Sequence, residues 1–306
     1  MSVAIITHTE CAKHGEGIPH PESRLRLSAI QDALVESRLE PLLDFYEAPL
    51  ADKHQICNAH DANYVDSIFR EAPKEGVIWL DPDTFMTPGS LNAARRAAGA
   101  NILAVDLLMQ NKATQVFCSV RPPGHHAEYA HAMGFCLFNN IAIGAAYARQ
   151  KYKIKRIAII DFDVHHGNGT EDIFRDEPGI LLCSLFQHPF YPYKGSDAHS
   201  DHVINIPISA GTECSEYRKL FTSICIPAIE TFEPELILVS AGFDAHIEDD
   251  LAGLNLTDAD YAWLANKIKN VAQTFCEGKI AFTLEGGYSL PALSRSVIAV
   301  IKELIA

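Results

Sequence analysis

The 306-residue chain has no CxxC pair, no long apolar run and a shortage of positive charge, and each absence narrows what it can be. Its eight cysteines stand at 11, 57, 118, 136, 183, 214, 225 and 276, several of them (Cys118, Cys183) inside apolar, strand-like runs. Free, buried thiols are therefore expected rather than a disulfide framework. No apolar run reaches the ~18 residues that a membrane span needs, and the opening MSVAIITH carries no cationic leader, so a soluble, cytoplasmic protein is expected. Lysine and arginine total 25 against 39 acidic residues, a formal charge of −14. Such a surface repels phosphate backbones and anionic lipid, which removes nucleic acid and membranes from the expected partners and tolerates lysine-rich peptides or polyamines. With no internal repeat, low-complexity tract or Gly/Ser-rich linker, one domain over 1–306 is expected.

What the chain does have is a rhythm. Short, apolar, β-branched runs occur at Val3–Thr7, Leu42–Tyr46, Gln115–Val120, Arg156–Phe162, Ile180–Leu185, Val203–Ile206, Leu236–Ala241 and Lys279–Leu284. Helical patterns lie between them at Ser23–Glu36, Ser90–Met109, Asn139–Lys151, Ser215–Phe232, Asp258–Glu277 and Leu290–Leu304, with Thr257 and Asp260 spaced as an N-cap and its N3 acid. Strand alternating with helix predicts an α/β fold with a mostly parallel central sheet of about eight strands and helices on both faces. Irregular segments fall at 8–22, 72–90, 121–137, 186–201 and 242–256. Several follow strands, and in open α/β sheets the site lies off the strands' carboxyl ends.

Four of these strand ends carry chemistry. Ile160-Asp161-Phe162-Asp163-Val164-His165-His166-Gly167-Asn168-Gly169 alternates Asp161, Asp163 and His165, and a two-residue period sends all three to one face. Clustered carboxylates there need a cation, a histidinium or hydrogen bonds to offset their repulsion; the plainer alternative is a solvated turn whose acids cap the next helix. Arg121-Pro122-Pro123-Gly124-His125-His126 presents adjacent histidines on a rigid loop, although a His-His pair alone is more often surface decoration. Ser240-Ala241-Gly242-Phe243-Asp244-Ala245-His246 supplies another acid, or only a helix cap. Thr283-Leu284-Glu285-Gly286-Gly287-Tyr288 supplies a tyrosine after a glycine turn. Together they are the parts of a mononuclear metal hydrolase. Amide hydrolysis needs an activated water, a polarised carbonyl and a proton for the departing amine. A histidine could move that proton, and Tyr288 could donate to the developing oxyanion.

In their order and wording these motifs resemble the zinc-dependent histone deacetylases and their bacterial relatives, the deacetylase branch of the arginase/deacetylase fold. The stretches that carry the resemblance are RPPGHHA (121–127), MGFCLFNN (133–140), IDFDVHHGNGTED (160–172), SAGFDAH (240–246), DLAGLNLT (250–257) and LEGGY (284–288), with a looser fit through His20-Pro21-Glu22 and LDPDTFMTPGS (80–90). Asn168 and Glu285 follow the class II pattern. The resemblance implies that Asp163, His165 and Asp244 ligate one Zn²⁺, an Asp₂His set that also admits Fe²⁺. It makes His126 the general base and then acid, oriented by Asn168, keeps His125 cationic beside Asp161, and has Tyr288 polarise the acyl carbonyl. It implies a structural K⁺ held by Asp161, Ser184 and the carbonyls of Asp163, His165 and Leu185, and a second near the carbonyls of Phe174 and Ile180.

The implied substrate channel takes Phe135 with Gly134, Tyr191 (where phenylalanine is usual), Leu251 and Asp83, the last to hold a peptide backbone, with Arg26 at an internal channel. The usual HPERPER reads HPESRLR here. Polyamine-selective relatives carry a glutamate seven residues after the last zinc ligand, where this chain has Leu251. The expected activity is removal of acetyl or a related short acyl group from lysine or a similar alkyl amine. An acetylpolyamine amidohydrolase, a non-catalytic acyl-ligand binding module and a binuclear manganese ureohydrolase are the alternatives. The oligomeric state is left open.

Overall fold

The computed structural model describes residues 3–196 and 200–306. Among them the strands are β1 (Val3–Thr7), β2 (Leu43–Glu47), β3 (Ile78–Trp79), β4 (Phe85–Met86), β5 (Gln115–Cys118), β6 (Ile157–Asp161), β7 (Ile180–Gln187), β8 (Val203–Ile208), β9 (Leu236–Ala241) and β10 (Ile280–Leu284). The α-helices are α1 (Leu25–Ser37), α2 (Lys53–Ile56), α3 (Ala62–Glu71), α4 (Ser90–Met109), α5 (Asn140–Tyr152), α6 (Asn168–Phe174), α7 (Cys214–Leu220), α8 (Ile226–Phe232), α9 (Asp258–Phe275) and α10 (Leu290–Ile305). Eight strands form one sheet in the order β2-β1-β5-β10-β9-β6-β7-β8, parallel throughout, and β3 and β4 make a separate antiparallel ribbon.

Strands β5, β6, β7, β9 and β10 are buried at every position. Their continuous apolar character follows from cover on both faces. Alternate side chains part into two cores. Ile5, Phe117, Ala158, Ile160 and Val239 pack with residues of α1, α9 and α10, whereas Ile6, Val116, Ile157, Ile159 and Leu238 pack with residues of α3, α4 and α5. The alternation continues beyond β6: Phe162 and Val164 enter the first core, which leaves Asp161, Asp163 and His165 in the opposite phase. All eight expected strands of the main sheet are present, with ends moved by two residues at most.

Two differences have physical causes. The helix expected over Ser215–Phe232 is interrupted by a π turn at Phe221–Cys225, where the Ile226 N–H reaches back to the Phe221 carbonyl. Pro227 follows immediately and has no N–H for a regular ladder, a defect that a π turn accommodates. Helix α3 was not expected, yet Asp61 caps it by accepting from the N–H groups of Asn63 and Tyr64, and Val65 and Ile68 form its buried side. The Thr257–Asp260 capping box opens α9 as expected. No helix among the described residues is long and apolar enough to cross a membrane. The segments that leave β5, β6, β7, β9 and β10 gather at the carboxyl edge of the sheet, and the chemistry-bearing motifs arrive there together.

Candidate active site

Asp163 and His165 follow β6, Asp244 follows β9, and one ligand atom from each lies within 4.8 Å of the others. His165 Nδ1 stands 3.0 Å from Asp163 Oδ1 and 3.2 Å from Asp244 Oδ2. The remaining lone pairs are partly answered by backbone: Gly286 N–H donates to Asp163 Oδ2 at 2.8 Å and Val164 N–H to Asp244 Oδ1 at 2.9 Å. Asp244 Oδ2 is buried with no hydrogen-bond partner. Two carboxylates and an imidazole that converge, with an orphaned oxygen among them, fit a divalent cation, for which such a donor set is complete but for an open position.

The electrostatics point the same way. Burial, then the Asp163 charge, pushes Asp244 up to about 6. Burial would lower His165, yet Asp163 and Asp244 hold it up at about 10. Backbone approaches this cluster so closely that side chains are excluded. A Cβ on Gly242 would lie 2.0 Å from Asp163 Oδ2, and one on Gly286 would lie 2.0 Å from Asp244 Oδ2. The glycines of SAGFD and LEGGY are thus required by the carboxylates beside them, beyond any need of a turn.

The adjacent histidines have opposite surroundings. His125 Nδ1 is 2.9 Å from Asp161 Oδ2, and its Nε2 is 3.8 Å from Asp163 Oδ2. Burial works against the charged ring, but Asp161 and Asp163 overcome it and hold His125 well above an ordinary histidine. His126 Nδ1 is 2.8 Å from Asn168 Oδ1. Burial, then the positive charges of His125 and His165, holds His126 well below the ordinary value. One ring of the pair is cationic and the other neutral, a separation of acid and base forms produced by environment alone.

Above them runs a channel of about 200 Å³ whose wall includes His125, His126, His165, Phe135, Gly134, Tyr191, Asp83, Leu251 and Tyr288. Tyr191 meets His126 edge-on, with ring centroids 5.2 Å apart. Phe135 meets Tyr288 edge-on at 6.2 Å. Burial, then Asp244, raises the Tyr288 phenol well above its usual range, so it keeps its proton. Asp83 Oδ1 accepts from the Gly134 N–H at 2.9 Å, which ties the 80s segment to the Phe135 loop. Arg26 does not line this channel. It is fully buried, with its guanidinium 5.2 Å from the Tyr288 ring centroid and hydrogen bonds to the carbonyls of Glu285 and Gly287. Ser184 pairs in register with Asp161, and its Oγ is buried without a hydrogen-bond partner. Cys136 is a fully buried free thiol whose pKa burial raises well above the usual value.

Several supporting contacts were not read from sequence, where Glu285 was noted only for its class II pattern. Asp249 Oδ2 accepts from the N–H groups of Tyr288 and Ser289, at 2.6 and 3.1 Å. Glu285 Oε2 accepts from the N–H groups of Gly124 and His125, at 2.7 and 3.2 Å. Glu22 binds both Arg26 and Arg121 in the interior. For Asp249 and Glu22 the sequence signal was that each lies in or beside a quoted motif. The partners in these contacts are up to 161 residues apart.

An eight-stranded parallel sheet with helices on both faces, carrying this cluster at its carboxyl edge, is the arginase/deacetylase fold. A crystal structure of the HDA15 HD domain superposes with a TM-score of 0.93 at 34% identity, covering 99% of this chain and 88% of that one. A family model described as the histone deacetylase domain matches residues 20–304. The chain belongs to the histone deacetylase family, among histone deacetylase-like hydrolases. It is 39% identical to the chloroplastic histone deacetylase 14 of Arabidopsis thaliana, over 94% of this chain and 73% of that protein. It is also 34% identical to the histone deacetylase-like amidohydrolase of Pseudomonas aeruginosa, over 96% and 77%.

Proposed function

We propose that the protein is a zinc-dependent deacylase that hydrolyses the linear amide of N-acyl-lysine, acetyl or a related short acyl group. The observation that carries this reading is the convergence of Asp163, His165, Asp244, His126 and Tyr288 at one narrow channel. Zn²⁺ held by Asp163, His165 and Asp244 would polarise the acyl carbonyl and make water a nucleophile near neutral pH. His126 takes the proton of the attacking water on Nε2 and returns it to the amine nitrogen as the C–N bond breaks. His125, kept cationic by Asp161, adds positive charge where negative charge develops. Tyr288 keeps its phenolic proton and donates it as a hydrogen bond to the oxyanion. Phe135 and Tyr191 hold the alkyl stem of the lysine and exclude water along it. A K⁺ beside Asp161 and Ser184, shared with the carbonyls of Asp163, His165 and Leu185, would answer the orphaned Ser184 hydroxyl.

Leu251 favours acyl-lysine over acetylated polyamines, because it sets an apolar side chain on the channel where a second amine would need a carboxylate. The test is hydrolysis by the zinc-loaded protein of acyl-lysine peptides beside acetylated polyamines. Peptide turnover is expected, with Tyr288→Phe slower by about 10²–10³-fold. Binding of acetyl-lysine peptide without turnover would instead make it a non-catalytic binding module.

A further inference from the structure

The hydrogen bonding at His126 does not stop at Asn168. The amide Oδ1 of Asn168 faces His126 Nδ1. Its Nδ2 end is met by Glu128 Oε1 at 2.8 Å, Met133 Sδ at 3.3 Å and the His126 carbonyl at 3.4 Å. None of these three can donate, so this end must be the NH₂ and the other end the carbonyl. A carbonyl only accepts. The proton of neutral His126 must therefore sit on Nδ1, which leaves the Nε2 lone pair free. Glu128 Oε1 in turn accepts from Lys194 Nζ. Lys194 lies three residues beyond Tyr191, in the segment that walls the channel.

We infer that Glu128 and Lys194 are positioning residues that select the base-competent tautomer of His126 by fixing which way the Asn168 amide faces. The inference rests on the reading of His126 as the base. A carboxylate at 168 could accept from Nδ1 in either rotamer and would need no orienting group. An amide can turn over and present NH₂ to Nδ1, and the proton would then move to Nε2 and the base would be lost. A negative acceptor on the far side makes the wrong rotamer costly, since it sets the Asn168 carbonyl against the Glu128 carboxylate. Burial acts to raise Glu128, but the bonds from Lys194 and Asn168 outweigh it and keep this carboxyl below its usual range. Lys194 is about half exposed, at 53%, so its ion pair adds little energy of its own and its effect should be the smaller.

The experiment reads the tautomer directly. In ¹⁵N-histidine NMR of the full chain, wild type is expected to show His126 with its proton on Nδ1. Glu128→Gln, whose amide accepts either rotamer of Asn168, should show a mixture with Nε2–H. In the zinc-loaded enzyme the same change should lower kcat by about tenfold with KM within about twofold, and Lys194→Ala should lower kcat by about threefold or less. Asn168→Asp places two carboxylates face to face and should lose more than about tenfold in kcat. Adding Glu128→Gln to it should recover most of that loss, because the glutamine can donate to the aspartate. A pure Nδ1–H tautomer in Glu128→Gln, or a double variant no better than Asn168→Asp alone, overturns the inference. Full activity of His126→Ala would instead defeat the assignment of the base, and the NMR result would still decide the orientation.

Discussion

At the floor of the channel Asp161, Asp163, Asp244, His125 and His126 are all buried, each within reach of partners fixed by strand ends or by backbone N–H groups. At the mouth Leu251 is 41% exposed, and Tyr191 and Asp83 come from irregular segments. The floor is the more constrained, since Asp161 and Asp163 each accept from more than one group and the backbone of Gly242 and Gly286 packs closely on the carboxylates of Asp163 and Asp244. At the mouth the Leu251 side chain can be exchanged without disturbing a hydrogen-bond network, whereas Asp83 is tied to the Phe135 loop through Gly134. Reaction chemistry is therefore assigned to the rigid part and substrate choice to the exchangeable part.

The comparison can be broken most forcefully at the floor. Asp244→Ala should lose zinc on dialysis and fall to background hydrolysis, read by metal analysis and turnover together. A variant that kept both stoichiometry and rate would remove Asp244 from the metal site. Glu22→Gln tests whether the layer beneath the floor is equally committed. Burial would raise Glu22, yet Arg121 and Arg26 hold it down at about 2, against 4.5 for an ordinary glutamate. A carboxyl with a depressed folded value stabilises above the unfolded value, and the contribution is lost as pH falls from 4.5 towards 2. Leaving the two buried arginines underpaired should cost about 3–5 kcal/mol near pH 7, and denaturant unfolding against pH should show the gap between variant and wild type closing in that acid window. A gap that did not narrow there would show that Glu22 is not the group being titrated. The smallest effect belongs to the mouth. Leu251→Glu should shift preference towards acetylated polyamines by about fivefold, the scale of one partly solvated ion pair, with turnover of the better substrate nearly unchanged. A collapse of kcat in that variant would mean that the mouth is not separable from the floor.

Much of this was legible in the sequence because it is written in local patterns. The eight strands of the main sheet are runs of adjacent apolar residues, and Asp161, Asp163 and His165 share a face through the two-residue period of a strand. The structure brings His125, His126, Asp244 and Tyr288 to the same edge because each follows a strand of one parallel sheet. What was not legible depends on distant chain. Asp249 matters through Tyr288, 39 residues away, and Glu22 through Arg121, 99 residues away. Helices α3 and α6 escaped notice for different reasons. The first has only two buried apolar positions, Val65 and Ile68, and the second begins inside a motif already read for its ligands. Arg26, expected at an internal channel, lies outside the lining of the substrate channel and packs behind Tyr288, held there by two carbonyl partners.

Asp249 carries one further consequence. Its Oδ2 fixes the backbone of Tyr288 and Ser289, while its Oδ1 accepts from the N–H of Leu251 at 3.1 Å. One carboxylate thus ties the backbone of Leu251, the proposed selectivity position, to the backbone of Tyr288, the proposed oxyanion donor. Evolution can rewrite the side chain at 251 at little risk, but an insertion or deletion between 249 and 251 would pull on Tyr288 as well. New substrate ranges in this lineage should therefore arise by substitution at that point of the rim, and changes of loop length should accumulate elsewhere around the channel.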